Sequence, residues 1–406
     1  MEIAILHYAA PPVVGGVEEV IAHQARLFSA GGHRVRIIAG RGSTWDAQIP
    51  VVVFPLLDSR HPQVLELKAD LDQGSVPAAF AGLEEAIFRG LRERLSGVNL
   101  VIAHNLGGLN KNLAATAALR RFSQASGAPR LILWQHDLAW TAPRYQAELH
   151  PGWPWDLLRT PWPEALQVTV SSARQAELAG LMGMPLDQIR VIPNGIDLQA
   201  ALRVSASGWE LARELRLLRA SPLLLTPVRV TRRKNLELGL RVLAELRDRL
   251  PDAALVITGP PGAHNPANAA YLAELSALRG GLGLGGAAHL LGELRPEGLL
   301  EAEVTDLYQL ADALFLPSRE EGFGLPILEA GLARLPIFCA DIPPLRTLAG
   351  GWAEYFSPDG DPRAIAAAIH ARLEDNPAFH MRQRVKQDYS WEAVYNRYLS
   401  PLLEEK

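Results

Sequence analysis

The sequence predicts an α/β protein built from two doubly wound domains in tandem. Three observations carry this. The chain has 406 residues, enough for two ordinary domains with a sizeable core in each. Short, continuous apolar runs of strand length alternate with longer amphipathic segments, the pattern of parallel strands covered by helices on both faces. The alternation runs out near Gly195 and then begins again, so two sheets describe it more simply than one.

In the first half the strand-like runs are "EIAILHY", "RVRIIAG", "VVVF", "LVIAHN", "RLILWQH", "QVTVSS" and "IRVIPNG". Helical spacing lies between most of them, as in Val17 to Ala30 and Asn110 to Phe122. In the second half "PLLLTPVRV", "ALVITG", "AAHLLGEL", "ALFLPS" and "IFCADI" alternate with helices such as Leu236 to Leu250 and Ala364 to Leu373. The junction falls in Gly195 to Ser207, which gives a first domain over 1–198 and a second over 199–385. The remaining segment, 386–406, reads as an amphipathic terminal helix expected to pack back toward the first domain.

Composition narrows the classes. Hydrophobic residues are 48% and charged ones 21%, a balance that can bury a core, so disorder is not expected. The net charge of −4 argues against a nucleic-acid binder that works by bulk charge, and leaves room for a local basic pocket. Cys339 is the single cysteine, which excludes an intrachain disulfide and an all-cysteine metal site and suits a reducing compartment. No apolar run reaches the roughly 18 residues that span a bilayer. "MEIAILHYAA" lacks a basic lead-in and reads as a first strand, so a cytoplasmic location is expected.

The most informative stretch is "ALFLPSREEGFGLPILEAGLARLP" (313–336). A strand ends near Pro317, and a helix starts near Phe323. That place, beyond the carboxyl end of a strand and at a helix N-terminus, is where open α/β sheets bind ligands. Gly322 and Gly324 would let the backbone approach a ligand, and the first amides of the helix are free to donate. Glu321 stands at the mouth of the helix and Glu329 lies eight positions on. Carboxylates repel phosphate but accept hydrogen bonds from the vicinal hydroxyls of a sugar. "PVRVTRRKN" adds Arg229 and Lys234 after another strand, two cations suited to a diphosphate. A ligand with phosphate in the middle and a sugar on each side would satisfy all of these groups, and a nucleotide sugar has that form.

These motifs resemble the signature of the retaining nucleotide-sugar glycosyltransferases of the GT-B fold, the family-four (group 1) type. Glu321 and Glu329 match that family's acid-x7-acid motif, and Arg229 and Lys234 its paired cations. "VIPNGID" (191–197) matches its interdomain motif, and "PPVVGGVEEV" its N-terminal glycine loop at Gly15 and Gly16. The resemblance covers nearly the whole chain. It implies two Rossmann-like domains facing a cleft, with the donor held by Gly15, Gly16, Arg229, Lys234, Glu321, Gly322, Phe323, Gly324, Leu325 and Glu329. It implies catalytic roles for His136, Arg229, Lys234 and Glu321, with His136 contacting the donor hexose. The implied reaction moves a hexose to a sugar, polyol or lipid-linked acceptor with retention. Neither cofactor nor metal is expected, and a peripheral membrane contact stays open.

On the acceptor side the candidates are His104, which ends the strand in "VIAHNLGG", with Trp153 and Trp155. The stretch 137–163 holds four of the nine tryptophans and five prolines, so it cannot form one long helix. Its indoles suit either the C–H face of a sugar or a hydrophobic plug that fixes the loop. Among rival functions, a nucleotide-sugar epimerase would not need this aromatic stretch. A nicotinamide dehydrogenase would want Gly-x-Gly-x-x-Gly after the first strand, which "HYAAPPVVGGVEE" lacks. A sugar-binding protein without catalysis would be told apart by donor hydrolysis.

Overall fold

The computed structural model describes residues 1–263 and 265–404. The chain divides into two compact units, Met1–Gly195 with the segment from Trp391, and Ile196–Ser390.

The N-terminal unit holds seven strands: β1 (Glu2–Ala9), β2 (Arg34–Arg41), β3 (Val51–Val53), β4 (Leu100–His104), β5 (Arg130–Gln135), β6 (Ala165–Thr169) and β7 (Ile189–Val191). They are parallel and ordered β3-β2-β1-β4-β5-β6-β7, with Ile5 in register with both Ile37 and Ile102. The unbroken apolar runs have a direct reason. Ile3 and Ile5 enter one core with Val20, Ile21 and Phe28 of the helix Gly16–Ala30, whereas Ala4 and Leu6 enter the core on the other face. A strand covered on both sides has no polar face to show.

The segment from Trp391 completes the first of these cores. Trp391, Val394, Leu399 and Leu402 pack with Ile3, Ile5 and Phe28, and Arg130 donates to the carbonyl of Leu402. Residues 391–404 are helical, with a π-turn at Tyr395–Leu399. Ser390 breaks them from the preceding turns.

The C-terminal unit repeats the plan with β8 (Leu223–Thr226), β9 (Ala254–Ile257), β10 (Ala288–Leu290), β11 (Ala313–Leu316), β12 (Ile337–Ala340) and β13 (Glu354–Phe356), ordered β10-β9-β8-β11-β12-β13. Two details differ from the sequence reading. Strand β8 stops at Thr226, where Pro227 has no N–H for the ladder and the Thr226 hydroxyl turns to the Phe315 carbonyl. Strand β13 is an extra three-residue edge strand, partly exposed and without an apolar run to announce it.

Each sheet has one place where the strand order reverses, between β1 and β4 and between β8 and β11. There the connections leave in opposite directions and open a crevice beyond the carboxyl ends of the strands. Arg229, Lys234, Glu321 and Gly322 to Leu325 follow β8 and β11, and Gly15 and Gly16 follow β1 while His104 ends β4. Among the described residues no helix is long and apolar enough to cross a membrane.

Candidate functional site

In the C-terminal unit, Lys234 and Glu321 meet across the switch point. The loop after β8 ends in a single 3-10 turn, Arg232–Lys234, and Asn235 follows in the left-handed region at φ 53°. Asn235 is a fitting residue there because its amide can bond locally. Its amide donates to the carbonyls of Pro317 and Pro358, which ties this loop to the one after β11. Lys234 Nζ then donates to Glu321 Oε1 at 2.5 Å, and the hydroxyl of the fully buried Ser318 donates to the same oxygen at 2.7 Å. Both charged side chains are more than nine-tenths buried. Burial lowers the proton affinity of Lys234, and the Glu321 carboxylate works against that shift. Arg233 Nη1 stands 3.9 Å from Glu321 Oε2.

Capacity is left over on both partners. An ammonium has three donors and Glu321 uses one of those on Lys234; Glu321 Oε2 keeps lone pairs that Lys234 and Ser318 do not take. Arg229 lies on the same loop, exposed, with no ion pair or side-chain hydrogen bond among the described residues. Both cations lie after the strand, as the sequence reading placed them; Arg229 is exposed, whereas Lys234 is drawn under the surface by its carboxylate partner.

The helix Leu325–Leu332 begins at Gly324, whose φ of 105° suits glycine and whose missing Cβ would lie 2.7 Å from Leu345 Cδ2. Gly322, Phe323 and Leu325 around this helix start are exposed. Glu329, one turn in, accepts a hydrogen bond from the Tyr308 hydroxyl. Burial and that carboxylate raise the proton affinity of Tyr308. Ser318, Asn235 and Tyr308 were not among the sequence candidates. Ser318 and Asn235 adjoin the motifs and could have been added from turn chemistry; Tyr308 lies on another helix, and no local pattern points to it.

In the N-terminal unit, three histidines lie at or near the carboxyl ends of the neighbouring strands β1, β4 and β5. His7 Nδ1 lies 3.0 Å from the His104 carbonyl, and since a carbonyl only accepts, that nitrogen carries the proton. His104 Nδ1 lies 3.0 Å from His136 Nε2, with the His104 ring stacked against Trp134 and His136. Asn105, at φ 60°, accepts from the backbone N–H of His136 and so fixes where β5 ends. Burial lowers the proton affinity of all three rings, to about 3 for His136, where the neighbouring His7 adds to the effect. The helix Gly16–Ala30 opens at Gly15, over which the Glu18 carboxylate folds back; Glu18 Oε1 stands 3.8 Å from His7 Nε2.

Two acceptor-side candidates are corrected. His104 is fully buried beneath His136 and has no surface with which to meet an acceptor. Trp155 is buried in the core of its unit, edge-on to His150, with its carbonyl accepting from Trp140 Nε1. It belongs to the hydrophobic plug. Trp153 is 51% exposed, with its ring edge against Phe80.

Among the described residues no three His, Cys, Asp or Glu are placed to hold a metal ion. The two Asp-x-Asp triplets, 70–72 and 359–361, have structural partners. Asp72 binds Lys68, Asp359 pairs with Arg319, and Asp361 caps the helix Pro362–Glu374.

Comparison with known proteins follows the same division of the chain. Residues 14–200 match the family model described as Glycosyltransferase Family 4, and residues 209–389 that described as Glycosyl transferases group 1. The mannosylglucosylglycerate synthase of Petrotoga mobilis is 23% identical over 365 residues, covering 84% of this chain and 83% of that protein. The glycogen synthase of Mycobacterium tuberculosis is 30% identical over 234 residues, 56% of this chain and 51% of that protein, so the chain matches about half of that relative's length. The solved sucrose-phosphate synthase of Thermosynechococcus elongatus aligns with 99% of this chain and 98% of its own, at 17% identity and a TM-score of 0.38.

Proposed function

The chain belongs to the GT-B glycosyltransferases of the family-four type, and from that premise we propose that it moves a hexose from a nucleoside diphosphate sugar to an acceptor hydroxyl with retention and without a metal. The observation that carries the reading is the buried Lys234–Glu321 pair at the β8/β11 switch point, with unused bonding capacity on each member. Such a pair can meet an anion and a hydroxyl at once. Lys234 and Arg229 would take the diphosphate, Glu321 a hexose hydroxyl, and Glu329 the vicinal hydroxyls of the ribose. The exposed turn Gly322–Leu325 would supply backbone amides to the phosphates. Gly15 and Gly16 would lie against the donor in the same way, and His136 would contact a hexose hydroxyl.

In the proposed step the bond from the anomeric carbon to the diphosphate oxygen breaks. The acceptor oxygen bonds to the same face of that carbon, and its proton passes to the departing diphosphate. No side chain is assigned as a nucleophile. The chain's own contribution is to hold positive charge where negative charge grows, with Lys234 and Arg229 placed before the reaction begins. His136, neutral at pH 7 with its proton affinity lowered to about 3, would hold the hexose by hydrogen bonding and would not act as a strong acid.

A sugar or polyol acceptor accords with a relative named for mannosylglucosylglycerate synthesis; a lipid-linked acceptor at a membrane surface is the other candidate. The test is incubation with UDP-, GDP- and ADP-sugars, with and without acceptors of both kinds, scored by released nucleotide, with EDTA in a parallel arm. Product NMR reads the anomeric configuration. Nucleotide release with a retained anomer and no EDTA effect is expected. An inverted product or a metal requirement would overturn the corresponding part. Donor binding with no release in any arm would make the chain a sugar-binding protein.

A further inference from the structure

His104 is fully buried and conserves its place by contacts on three sides: its carbonyl accepts from His7, its ring stacks on Trp134, and its Nδ1 meets His136 Nε2 at 3.0 Å. Its other nitrogen, Nε2, is buried with no hydrogen-bond partner among the described residues. This settles which way the bond to His136 runs. A neutral imidazole has one ring proton. If His104 carried it on Nε2, a buried N–H would face no acceptor. If His104 carries it on Nδ1, the N–H donates to His136 Nε2, and only a lone pair goes unmatched. The orphaned donor is the rarer and costlier arrangement.

The consequence falls on His136. With Nε2 occupied as an acceptor, its own proton must sit on Nδ1. That atom has no protein partner among the described residues and is not among the sealed-off unpartnered atoms, so it is open to a ligand. We infer that His104 is a positioning residue that holds His136 as the Nδ1–H tautomer, so that His136 presents a hydrogen-bond donor, not an acceptor, to the transferred sugar. The inference rests on the proposal above only in taking the ligand of His136 to be the hexose. The ligand atom matched to it is then an oxygen lone pair, and a hexose whose hydroxyl at that position is replaced by hydrogen should be a poor donor.

Nitrogen-15 NMR of the full chain with labelled histidine, at pH 7, tests this directly. The His136 signals, assigned by their loss in His136→Gln, should show protonated Nδ1 and bare Nε2. His104→Phe keeps the stacking surface but removes the proton, and should leave His136 in a mixture of tautomers. It should lower kcat, by up to about 100-fold for a misplaced group, while affinity for the free nucleoside diphosphate stays unchanged. His104→Asn puts an amide N–H near the place of Nδ1 and should restore both the tautomer and most of kcat. A wild-type His136 protonated on Nε2 would overturn the inference, and so would His104→Phe with an unchanged tautomer. The wild-type spectrum needs no variant to fold. If the tautomer is as stated but His136→Gln transfers sugar at the wild-type rate, the hexose contact fails and the His104 device stands.

Discussion

The two switch points of this molecule have the same topology and opposite electrostatics. Between β8 and β11 the chain keeps a full positive and a full negative charge below the surface, each stabilised by the other, with Ser318 also donating to the carboxylate. Between β1 and β4, and on to β5, it places three imidazoles whose proton affinity burial holds down. Charge is expensive to bury, and a pair that keeps bonding capacity unused, as Lys234 and Glu321 do, can recover part of that cost from a charged ligand. Neutral donors cost less and discriminate by direction. On the proposed function, the C-terminal switch point would meet the charged diphosphate and the N-terminal one the uncharged sugar.

The comparison breaks most visibly at Lys234. Lys234→Ala should lower turnover about 10²–10³-fold, the usual loss for a group that stabilises transition-state charge. It should also destabilise the fold by about 3 kcal/mol, because Glu321 is left buried without its cation. Arg229→Ala should give the same order of loss in turnover with an unchanged melting temperature, since Arg229 is exposed and unpaired among the described residues. Turnover assays beside thermal melts separate the two. If Lys234→Ala melts like the parent, the pair is not the buried unit described.

Lys234 also shows how far the sequence could be read. The motif spacing placed it beside a strand end and across from Glu321, but nothing in "TRRKN" says which of three consecutive cations turns inward. That choice is made by Asn235, whose left-handed turn and bonds to Pro317 and Pro358 bring the loop to the acid. The strands were legible where the run is apolar throughout, including the three-residue edge strand β3 with its three valines; β13, equally short and at an edge, escaped because Glu354–Phe356 has no such run. His104 was legible as a strand-end histidine and not as a buried one. A histidine ending β4 looks the same in sequence whether its ring faces solvent or lies under its neighbour's histidine.

The second test concerns the neutral side. The proton affinity of His136 is lowered from its ordinary value of 6.5 to about 3, so the unfolded chain binds the proton more readily than the folded one. Its contribution to stability is therefore complete above pH 6.5 and is lost as pH falls from there toward 3, at up to about 1.4 kcal/mol per pH unit. His7 and His104 shift in the same direction. In the C-terminal unit His289 is the histidine with a lowered affinity among the described residues. Seven of the nine tryptophans lie in the N-terminal unit, so denaturation followed by indole fluorescence reports mainly on it. Its midpoint should fall between pH 6.5 and 4, and less steeply in His136→Gln. A flat profile would mean that the folded chain binds these protons as readily as the unfolded one, and the contrast between the two switch points would be gone.

A smaller effect sharpens the charged side. Glu329 is exposed on its helix and bonded to Tyr308, whereas Glu321 is enclosed with Lys234. Glu329→Gln should weaken binding of a free nucleoside diphosphate about tenfold, the value of one hydrogen bond to a charged group. Glu321→Gln should leave that binding nearly intact and act on the sugar. Calorimetry with the nucleoside diphosphate alone measures both, and equal losses would undo the division between ribose and hexose ends.

The smallest expected effect lies at Trp153. Trp155 and Trp162 are buried, with Arg120 over Trp162 and Arg159 over Trp140, so this part of the loop is held by packing and cation–π contacts. Trp153 differs. Half of it is exposed, and among the described residues its only ring partner is Phe80, edge-on at 4.8 Å between centroids. An indole face left open beside a fixed loop loses little entropy on meeting the C–H face of a sugar. Trp153→Ala should therefore raise the acceptor KM about threefold to tenfold, the equivalent of about 1 kcal/mol of aromatic contact, with donor hydrolysis and melting temperature unchanged. If the melting temperature drops and both activities fall together, the contact to Phe80 is what Trp153 is for, and the plug extends to it as well.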